Sequence, residues 1–413
     1  MRIVIATAVY YPQINGVAVF SHNLAVGLAS RGHEVMVICP SQTGKNYTEM
    51  VDGVKTVYLK SVDIKVYPDQ IHKTPEKKRF LGLKLPKLIY RHGLRVSVFP
   101  QHEIKKVLDE FLPDVVHVQV SDPIGLSVVS YAKKRGIPVV TTEHNRPEVI
   151  TNSLKIGFLK KPVNAALASY FRNRQSKSDF VTMPTELSIR ELIGKGSEFP
   201  VPVAAVSNGV NLSHFKPGKA PSEIYNKYGL SSNVPIVLYI GRIDPEKRVD
   251  LVLTAFKKAR RKTPKMELVL VGDGVERVKL EESVKGDSGI HFLGRVLPPD
   301  LYELYKVGTV FVTASPIETQ GIVLIEAAAT GLPLIAVNAG AVAEVCRDGE
   351  NGFLCNVGDV GKMAEAISKI VENKDLRAKF NKKSLEISKE HDLEKTLDRF
   401  INIYERVIDL KKS

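Results

Sequence analysis

Short apolar runs alternate with helical patterns along the sequence, and this alternation limits the fold more than any other feature. The run at residues 3–6 is typical of a buried strand, and apolar residues at helical spacing follow it up to Gly32. Residues 34–39 form the next strand-like run. Strands joined through helices by short connections build a parallel sheet with both faces covered. The first half of the chain therefore predicts an open, doubly wound α/β sheet.

The alternation starts again in the second half, after a stretch at 213–232 whose Pro and Gly residues predict a linker. The predicted strands there are 236–240, 267–271, 309–313 and 333–337, and the clearest helices are 249–261 and 321–329. We therefore predict two Rossmann-like domains that face each other across a cleft. Their predicted boundaries are 1–210 for the first and 211–392 for the second, with an amphipathic C-terminal helix at about 393–413 expected to pack back on the first.

Composition excludes several classes of protein. Of the 413 residues, 44% are hydrophobic and 25% are charged, as in ordinary globular proteins, so neither disorder nor a coiled coil is the main architecture. The chain has no apolar run of ~18 residues and no signal-peptide pattern at its start, so a cytoplasmic protein without a spanning helix is expected. Cys39, Cys346 and Cys355 lack metal-ligand spacing and suit a reducing compartment.

Net charge indicates the kind of partner. Lysine and arginine number 59 against 45 acidic residues, which gives +14 and predicts an anionic partner such as nucleic acid, acidic lipid or a phosphorylated substrate. The excess lies in the first half, where residues 60–100 hold ten basic and three acidic residues, and 154–178 hold six basic and no acidic ones. The sequence has no nucleic-acid-binding motif and no tryptophan, which argues against a nucleic-acid partner.

Two loops that follow predicted strands carry residues suited to an anion. Gly16, next to Asn15, lies between the first strand and its helix, where backbone N–H groups attract phosphate, although the spacing of an NAD-binding fingerprint is missing. Arg242 and Lys247 follow the strand at 236–240 and precede a helix, where basic side chains oppose the helix dipole unless an anion is bound. An ordinary solvated turn is the alternative for both loops.

Two carboxylates and two histidines complete the candidates. Glu318 and Glu326 flank the start of the helix at 321–329. Glu326 falls among apolar residues, where an unpaired carboxylate is costly, so hydroxyl partners such as those of a ribose are expected; a salt bridge on the helix surface is the alternative. His117 and His144 lie at carboxyl ends of first-half strands, where ligands of open sheets bind, although His117 can instead be a satisfied core histidine.

Taken in order, these segments resemble the retaining, nucleotide-sugar-dependent glycosyltransferases of family four, which have the GT-B fold. The resemblance covers essentially the whole chain and is nearest to the diacylglycerol glucosyltransferase-like branch. The stretches that suggest this branch are Asn15-Gly16-Val17, Thr142-Glu143-His144-Asn145-Arg146-Pro147-Glu148 and Glu318-Thr319-Gln320-Gly321.

The resemblance implies a donor-binding set in both halves of the chain. Its members are Asn15, Gly16, Arg242, Lys247, Glu318, Gln320, Gly321, Ile322 and Glu326. Arg242 and Lys247 would neutralise the donor diphosphate, and the loop of Gly16 would approach it. Glu318 and the backbone N–H groups that follow it would hold the sugar and phosphate, and Glu326 would bind the ribose.

His144 matches the family's active-site histidine and, with Arg242, Lys247 and Glu318, makes up the implied catalytic set, while His117 is an accessory candidate. Position 119 often holds a second histidine in the family; it is Gln119 here and receives no role. The sequence has no Asp-x-Asp pair, so cationic side chains rather than a metal ion are expected to stabilise the leaving group, and no cofactor is expected.

The activity implied is transfer of a hexose, expected to be glucose, from a UDP-sugar to a lipid such as diacylglycerol by a peripheral enzyme at the inner face of the cell membrane. Segments 80–90, 156–161 and 170–174 interleave apolar and basic residues and are expected to bind an anionic membrane surface. The alternatives are the same chemistry on a soluble or polysaccharide-precursor acceptor, a GT-B epimerase of UDP-sugars, and a non-catalytic protein that binds sugar nucleotides or nucleic acid. The pairing of Glu318 with Glu326 disfavours the epimerase.

Overall fold

The computed structural model describes residues 1–11, 15–64, 94–119, 122–144, 160–193 and 199–412. The chain divides into two compact units, called the first and second units below. The first unit comprises Met1–Ser207 together with Thr396–Ser413, and the second unit comprises Asn208–Lys395.

Strands and helices alternate along most of the chain. The strands are β1 (Arg2–Ala6), β2 (Glu34–Pro40), β3 (Tyr47–Val51), β4 (Val54–Leu59), β5 (Val62–Ile64), β6 (Leu94–Val96), β7 (Val115–Val118), β8 (Val139–Thr142), β9 (Phe180–Met183), β10 (Val203–Ala205), β11 (Ile236–Ile240), β12 (Glu267–Val271), β13 (Ile290–Gly294), β14 (Val310–Val312), β15 (Leu334–Val337) and β16 (Gly352–Cys355). The helices are α1 (Gly16–Ser30), α2 (Gln101–Phe111), α3 (Pro123–Lys134), α4 (Lys160–Gln175), α5 (Glu186–Ile193), α6 (Ser222–Tyr228), α7 (Val249–Arg260), α8 (Arg277–Glu282), α9 (Asp300–Val307), α10 (Ile322–Ala329), α11 (Val360–Glu372), α12 (Lys374–Ser388) and α13 (Leu393–Lys412).

An eight-stranded sheet with the order β10-β9-β8-β7-β1-β2-β4-β3 forms the centre of the first unit. Every pair in it is parallel except the one at the edge, where β3 runs antiparallel to β4. β1 is central, and its residues from Ile3 to Ala6 are fully buried. Such apolar runs, buried on both faces, are what the sequence predicts for a doubly wound sheet. The antiparallel edge pair is an addition that the prediction of a parallel sheet does not contain.

The second unit has an all-parallel, six-stranded sheet with the order β13-β12-β11-β14-β15-β16. One apolar cluster, which includes Phe256 and Ile367, packs residues of α7 and α11 against one face. A second cluster, which includes Tyr305 and Leu324, packs residues of α9 and α10 against the other face. The second unit is therefore doubly wound as well, and its strands β11 and β12 have the predicted bounds.

The predicted linker at 213–232 is wrong in its central part. Residues Ser222–Tyr228 form α6, and Phe215 and Ile224 are buried in the core of the second unit. The Pro and Gly residues of this stretch end the helix and shape its flanking turns, with Gly229 in the left-handed conformation at the C-cap. The Pro and Gly residues that suggest a linker here flank a short helix whose apolar residues belong to the core.

The C-terminal helix α13 packs on α1 within the first unit. A Cβ atom at Gly27 would lie 2.5 Å from Leu397 Cδ1, so the absence of a side chain lets the two helices approach closely. Arg31 and Asp398 form an ion pair of 2.7 Å beside this contact. Phe400 and Tyr404 are fully buried. The last twenty residues therefore contribute to the core of the first unit.

One of the three segments predicted to bind a membrane has its phenylalanine buried in the core. Phe171, in segment 170–174, is buried against Met183 and Leu192, and the exposed Tyr170 lies under the guanidinium of Arg174 at 5.1 Å. Segment 80–90 and residues 156–159 lie outside the described residues. In the part of the chain that the structure describes, no helix is both long and apolar enough to cross a bilayer.

The loops after β11 and β12 lie in direct contact at the carboxyl edge of the second sheet. Gly241 N donates to Val271 O at 2.9 Å, and Ile243 N donates to Asp273 O at 2.9 Å. A Cβ atom at Gly272, which has φ +135°, would lie 1.9 Å from the carbonyl oxygen of Gly241. Glycine at position 272 is therefore required for the two loops to meet.

We expect Gly272→Ala to destabilise the second unit by about 3 kcal/mol or more, because the added methyl group collides with backbone that cannot rotate away. The matched control is Gly286→Ala, since Gly286 has φ +84° but nothing within 4 Å of its Cβ position. That change should cost only the backbone strain, ~1–2 kcal/mol. Urea unfolding of the two variants measures the difference, and equal losses would show that the loops do not depend on this contact.

Candidate active site

Arg242 is held by two carboxylates of its own loop. One guanidinium nitrogen donates to Asp244, and Nη2 donates to Glu246 Oε1 at 2.9 Å. The Tyr239 hydroxyl donates to the backbone oxygen of Arg242 at 2.6 Å, and Asp244 Oδ1 also accepts from Val275 N at 3.1 Å. The Arg242 side chain is 41% exposed. The predicted phosphate-binding arginine is thus anchored at the carboxyl end of β11 and still accessible.

Lys247 and Glu318 form an ion pair in the second unit. Lys247 ends a 3₁₀ turn at Pro245–Lys247 after β11, and Glu318 lies in the loop between β14 and α10. Lys247 Nζ lies 2.6 Å from Glu318 Oε1, and the side chains are 17% and 13% exposed. Two residues that are 71 positions apart and were predicted separately therefore meet at one point. A partly buried pair of this kind offers an anion a cation and offers a hydroxyl group an acceptor.

The residues that follow Glu318 form the start of α10. Gly321 has φ +78°, a left-handed conformation that suits glycine, and Ile322 is the first helical residue. Gln320 is buried, and its Oε1 accepts a hydrogen bond from Asn208 N at 3.0 Å. The side chain of Gln320 therefore holds Asn208, the first residue of the second unit. The predicted donor contact at this position is one of its backbone N–H.

Glu326 has a tyrosine hydroxyl as its partner. The hydroxyl of the fully buried Tyr305 on α9 donates to Glu326 Oε2 at 2.5 Å. Burial raises the pKa of Glu326 to about 7, against the opposing effect of this hydrogen bond. The expected hydroxyl partner is thus supplied by the protein itself, and the alternative of a surface salt bridge is wrong. Residue Glu326 as a whole is only partly buried.

Asn15 caps the first helix. Its backbone is extended, and its Oδ1 accepts a hydrogen bond from Ala18 N at 2.9 Å, so Gly16 becomes the first residue of α1. The side chain of Asn15 is therefore committed to the helix end, which does not support its predicted contact with a donor. Residues 12–14 of the same loop lie outside the described residues.

His144 follows β8 and is nearly buried, with 8% of its surface exposed. Its Nε2 lies 2.8 Å from Gln119 Oε1, and the edge of its ring meets Phe20 at a centroid distance of 5.2 Å. Burial lowers the pKa of His144 to about 4. At neutral pH the imidazole is therefore uncharged and acts as a hydrogen-bonding group rather than as a cation.

His117 is a core histidine. It is fully buried, and its ring nitrogens lie 2.6 Å from the Tyr404 hydroxyl and 2.6 Å from Thr142 Oγ1. Burial, with a smaller contribution from His144, lowers the pKa of His117 to about 3. Both ring nitrogens are therefore occupied by protein hydroxyls, as expected for the alternative of a satisfied core histidine.

Three residues next to this set were missed by the sequence analysis. Asp244 orients Arg242, Tyr305 binds Glu326, and Gln119 binds His144. Asp244 had a local signal, since it lies two residues after Arg242 in the same loop. Within the described ranges, no group of three or more His, Cys, Asp or Glu side chains is placed to hold a metal ion.

Two open α/β units, with basic and acidic side chains at the carboxyl ends of the second sheet, define the glycosyltransferase class with the GT-B fold. The model of Glycosyltransferase Family 4 matches residues 14–214, and the model of Glycosyl transferases group 1 matches residues 222–386. The chain therefore belongs to the family-four glycosyltransferases, and it is an enzyme of that type.

Individual proteins similar to this chain differ in sugar and acceptor. An alpha-monoglucosyldiacylglycerol synthase of Acholeplasma laidlawii is 28% identical over 368 residues, which are 86% of this chain and 85% of that protein. A GDP-mannose-dependent alpha-mannosyltransferase of Mycobacterium tuberculosis is 28% identical over 379 residues, 91% of this chain and 89% of that protein. The solved structure of a sucrose-phosphate synthase from Thermosynechococcus elongatus has the same fold, with a TM-score of 0.73, 18% identity and coverage of 99% of this chain and 100% of that one.

The pKa of Glu326 predicts a pH dependence of stability. The folded-state pKa of Glu326 is raised from 4.5 to about 7. The contribution of this carboxyl group to the free energy of unfolding is therefore complete below pH 4.5 and is lost as pH rises through about 7. We expect Glu326→Gln to become progressively more stable relative to wild type across this window, by at most about 3 kcal/mol, since the residue is only partly buried.

Unfolding free energies from urea titrations at several pH values between 4.5 and 8 measure this effect. Glu365→Gln, which removes an exposed carboxylate from α11, is the control and should show no such trend. If the difference in unfolding free energy between wild type and Glu326→Gln does not change with pH, the raised pKa of Glu326 is contradicted.

Proposed function

We propose that this enzyme transfers a hexose, glucose in the first instance, from a UDP-sugar to a lipid acceptor such as diacylglycerol, with retention at the anomeric carbon and without a metal ion. The observation that carries the donor site is the Lys247–Glu318 ion pair beside the anchored Arg242. The proposed lipid acceptor rests on the similarity to the alpha-monoglucosyldiacylglycerol synthase.

The two cations suit the leaving group of such a reaction. Breaking a sugar–diphosphate bond places negative charge on the departing nucleotide and positive charge on the sugar ring. Arg242 offers two nitrogen donors in a fixed plane, and Lys247 offers a point charge, so the pair stabilises the diphosphate without a metal ion. Both cations are already held by carboxylates, so little reorganisation is needed when the donor binds.

The carboxylates suit the hydroxyl groups of the donor. Glu318 accepts from Lys247 through Oε1, and a sugar hydroxyl can donate to the same carboxylate. Glu326 accepts from Tyr305 through Oε2. The carboxylate held in this way would accept a hydrogen bond from the ribose. His144, uncharged at neutral pH, would meet the sugar as a hydrogen-bonding group. The donor is thus bound by acceptors along its sugars and by cations along its diphosphate.

A second candidate keeps the chemistry and changes both substrates. The GDP-mannose-dependent mannosyltransferase shares the same 28% identity with this chain as the lipid glucosyltransferase. The proposed lipid acceptor is favoured by the net charge of +14, which suits an enzyme that binds the anionic inner surface of the cell membrane. A soluble acceptor accounts for the basic chain only if the acceptor is itself anionic.

We expect Arg242→Ala and Glu318→Ala each to lower the rate of sugar transfer by about 10²–10³-fold while the protein stays folded. Arg248→Ala is the matched control, since Arg248 lies on the same loop, is 39% exposed against 41% for Arg242, and pairs with Asp250 instead. Its activity should stay near wild type. Turnover of either test variant at the wild-type rate would show that the donor site is elsewhere.

A screen of donors against acceptors tests the reaction itself. The purified protein is given UDP-glucose, UDP-galactose, UDP-GlcNAc or GDP-mannose, each with neutral or anionic liposomes that contain or lack diacylglycerol. We expect nucleotide release and glycolipid formation with UDP-glucose, faster on anionic liposomes, and flotation of the protein with those liposomes. Transfer from GDP-mannose to a soluble acceptor would establish the second candidate, and no release from any donor would reject both.

A further inference from the structure

A buried carboxamide lies between the two strand-end histidines of the first unit. Gln119 directly follows β7, is fully buried, and extends the β1–β7 pairing through its backbone N–H, which donates to Ala6 O at 2.8 Å. Its side chain extends along the sheet edge to His144, which follows the neighbouring β8, and Oε1 lies 2.8 Å from the imidazole Nε2. The backbone of Gln119 is therefore fixed by the sheet, and its side-chain amide contacts His144, a candidate active-site residue.

The other end of the carboxamide fixes which atom faces His144. Gln119 Nε2 lies 3.4 and 3.3 Å from the two ring nitrogens of His117, which places the amide nitrogen at nearly equal distance from both. Those ring nitrogens already have close partners in Tyr404 and Thr142. The amide N–H groups therefore face the His117 ring, and the oxygen is the atom left for His144.

We propose that Gln119 is the positioning residue of His144: it holds the proton on Nε2 and leaves Nδ1 as the hydrogen-bond acceptor that the imidazole offers to a sugar hydroxyl. The carboxamide oxygen can only accept, so the His144 nitrogen that contacts it must carry the hydrogen. The other ring nitrogen of an uncharged imidazole then carries the lone pair. This inference rests on the proposed function only for the identity of the sugar ligand.

An aromatic side chain packs against the imidazole. Phe20 on α1 meets the His144 ring edge-on, and the Phe400 ring on α13 has its centroid 5.9 Å from that of Phe20 and 5.1 Å from that of His117. Phe20 therefore borders the imidazole, and Phe400 packs behind Phe20. Gln119 then supplies the polar contact that selects one ring orientation and one tautomer.

The test compares wild type with Gln119→Met, which keeps the length of the side chain and removes the acceptor, and with Gln119→Glu, which keeps an acceptor oxygen. The tautomer of His144 is read by NMR of protein labelled with ¹⁵N in histidine, with His144→Gln used to assign the signal. We expect the Nε2–H tautomer in wild type and in Gln119→Glu, and a mixture of tautomers in Gln119→Met. An Nδ1–H tautomer in wild type, or an unchanged tautomer in Gln119→Met, would overturn the proposal.

Kinetics give the second readout. We expect Gln119→Met to lower kcat by about 10- to 100-fold with little change in donor KM, because misplacing one group affects the reacting geometry more than the binding of the whole donor. Thr182→Val is the control: Thr182 Oγ1 lies 2.6 Å from Thr142 Oγ1, in the same buried network but on the side of His117. An equal loss in Thr182→Val would reduce Gln119 to a packing residue. If wild type transfers no sugar, the proposed function fails, whereas the tautomer still decides the role of Gln119.

Discussion

Burial of both faces of each parallel sheet is the constraint on which the rest of this structure depends. Once the strand interiors are apolar throughout, side chains that bind charge have room only where the strands end. His144 follows β8, Arg242 follows β11, and Glu318 follows β14, so all three lie in loops at carboxyl edges. The close contact of the β11 and β12 loops, made possible by Gly272, then fixes the backbone that carries Arg242.

The cations of the second unit are paired with carboxylates of the same unit. Asp244 and Glu246 hold Arg242, and Glu318 holds Lys247. The desolvation cost of each of these charges is therefore offset by an ion-pair partner. The pairing keeps the guanidinium and ammonium groups in place without a ligand. In the proposed donor site, an incoming diphosphate would join a network of charges that is already in place.

The first unit works with neutral hydrogen bonds. Burial removes the charge from His117 and His144, and hydroxyl and amide groups satisfy their ring nitrogens. Part of this network comes from the last helix of the chain, through Tyr404 and Phe400. The second unit therefore carries paired charges at its strand ends, whereas the first carries uncharged hydrogen-bonding groups.

The sequence by itself determined the α/β class, the duplication of the pattern and most strands, because a buried strand is encoded by a local apolar run. It also placed His144, Arg242, Lys247, Glu318 and Glu326 as candidates, since their positions at strand ends or in an apolar helix are local features. Only the tertiary structure decided their partners. Tyr404 contacts His117 although the two residues are 287 positions apart in the sequence. Gln119 and His144 follow neighbouring strands, and Tyr305 and Glu326 lie on different helices. Hydrogen-bond partners of this kind are set by strand order and helix packing, which no local pattern records. For the same reason the short helix inside the predicted linker was decided by the packing of Ile224 in the core.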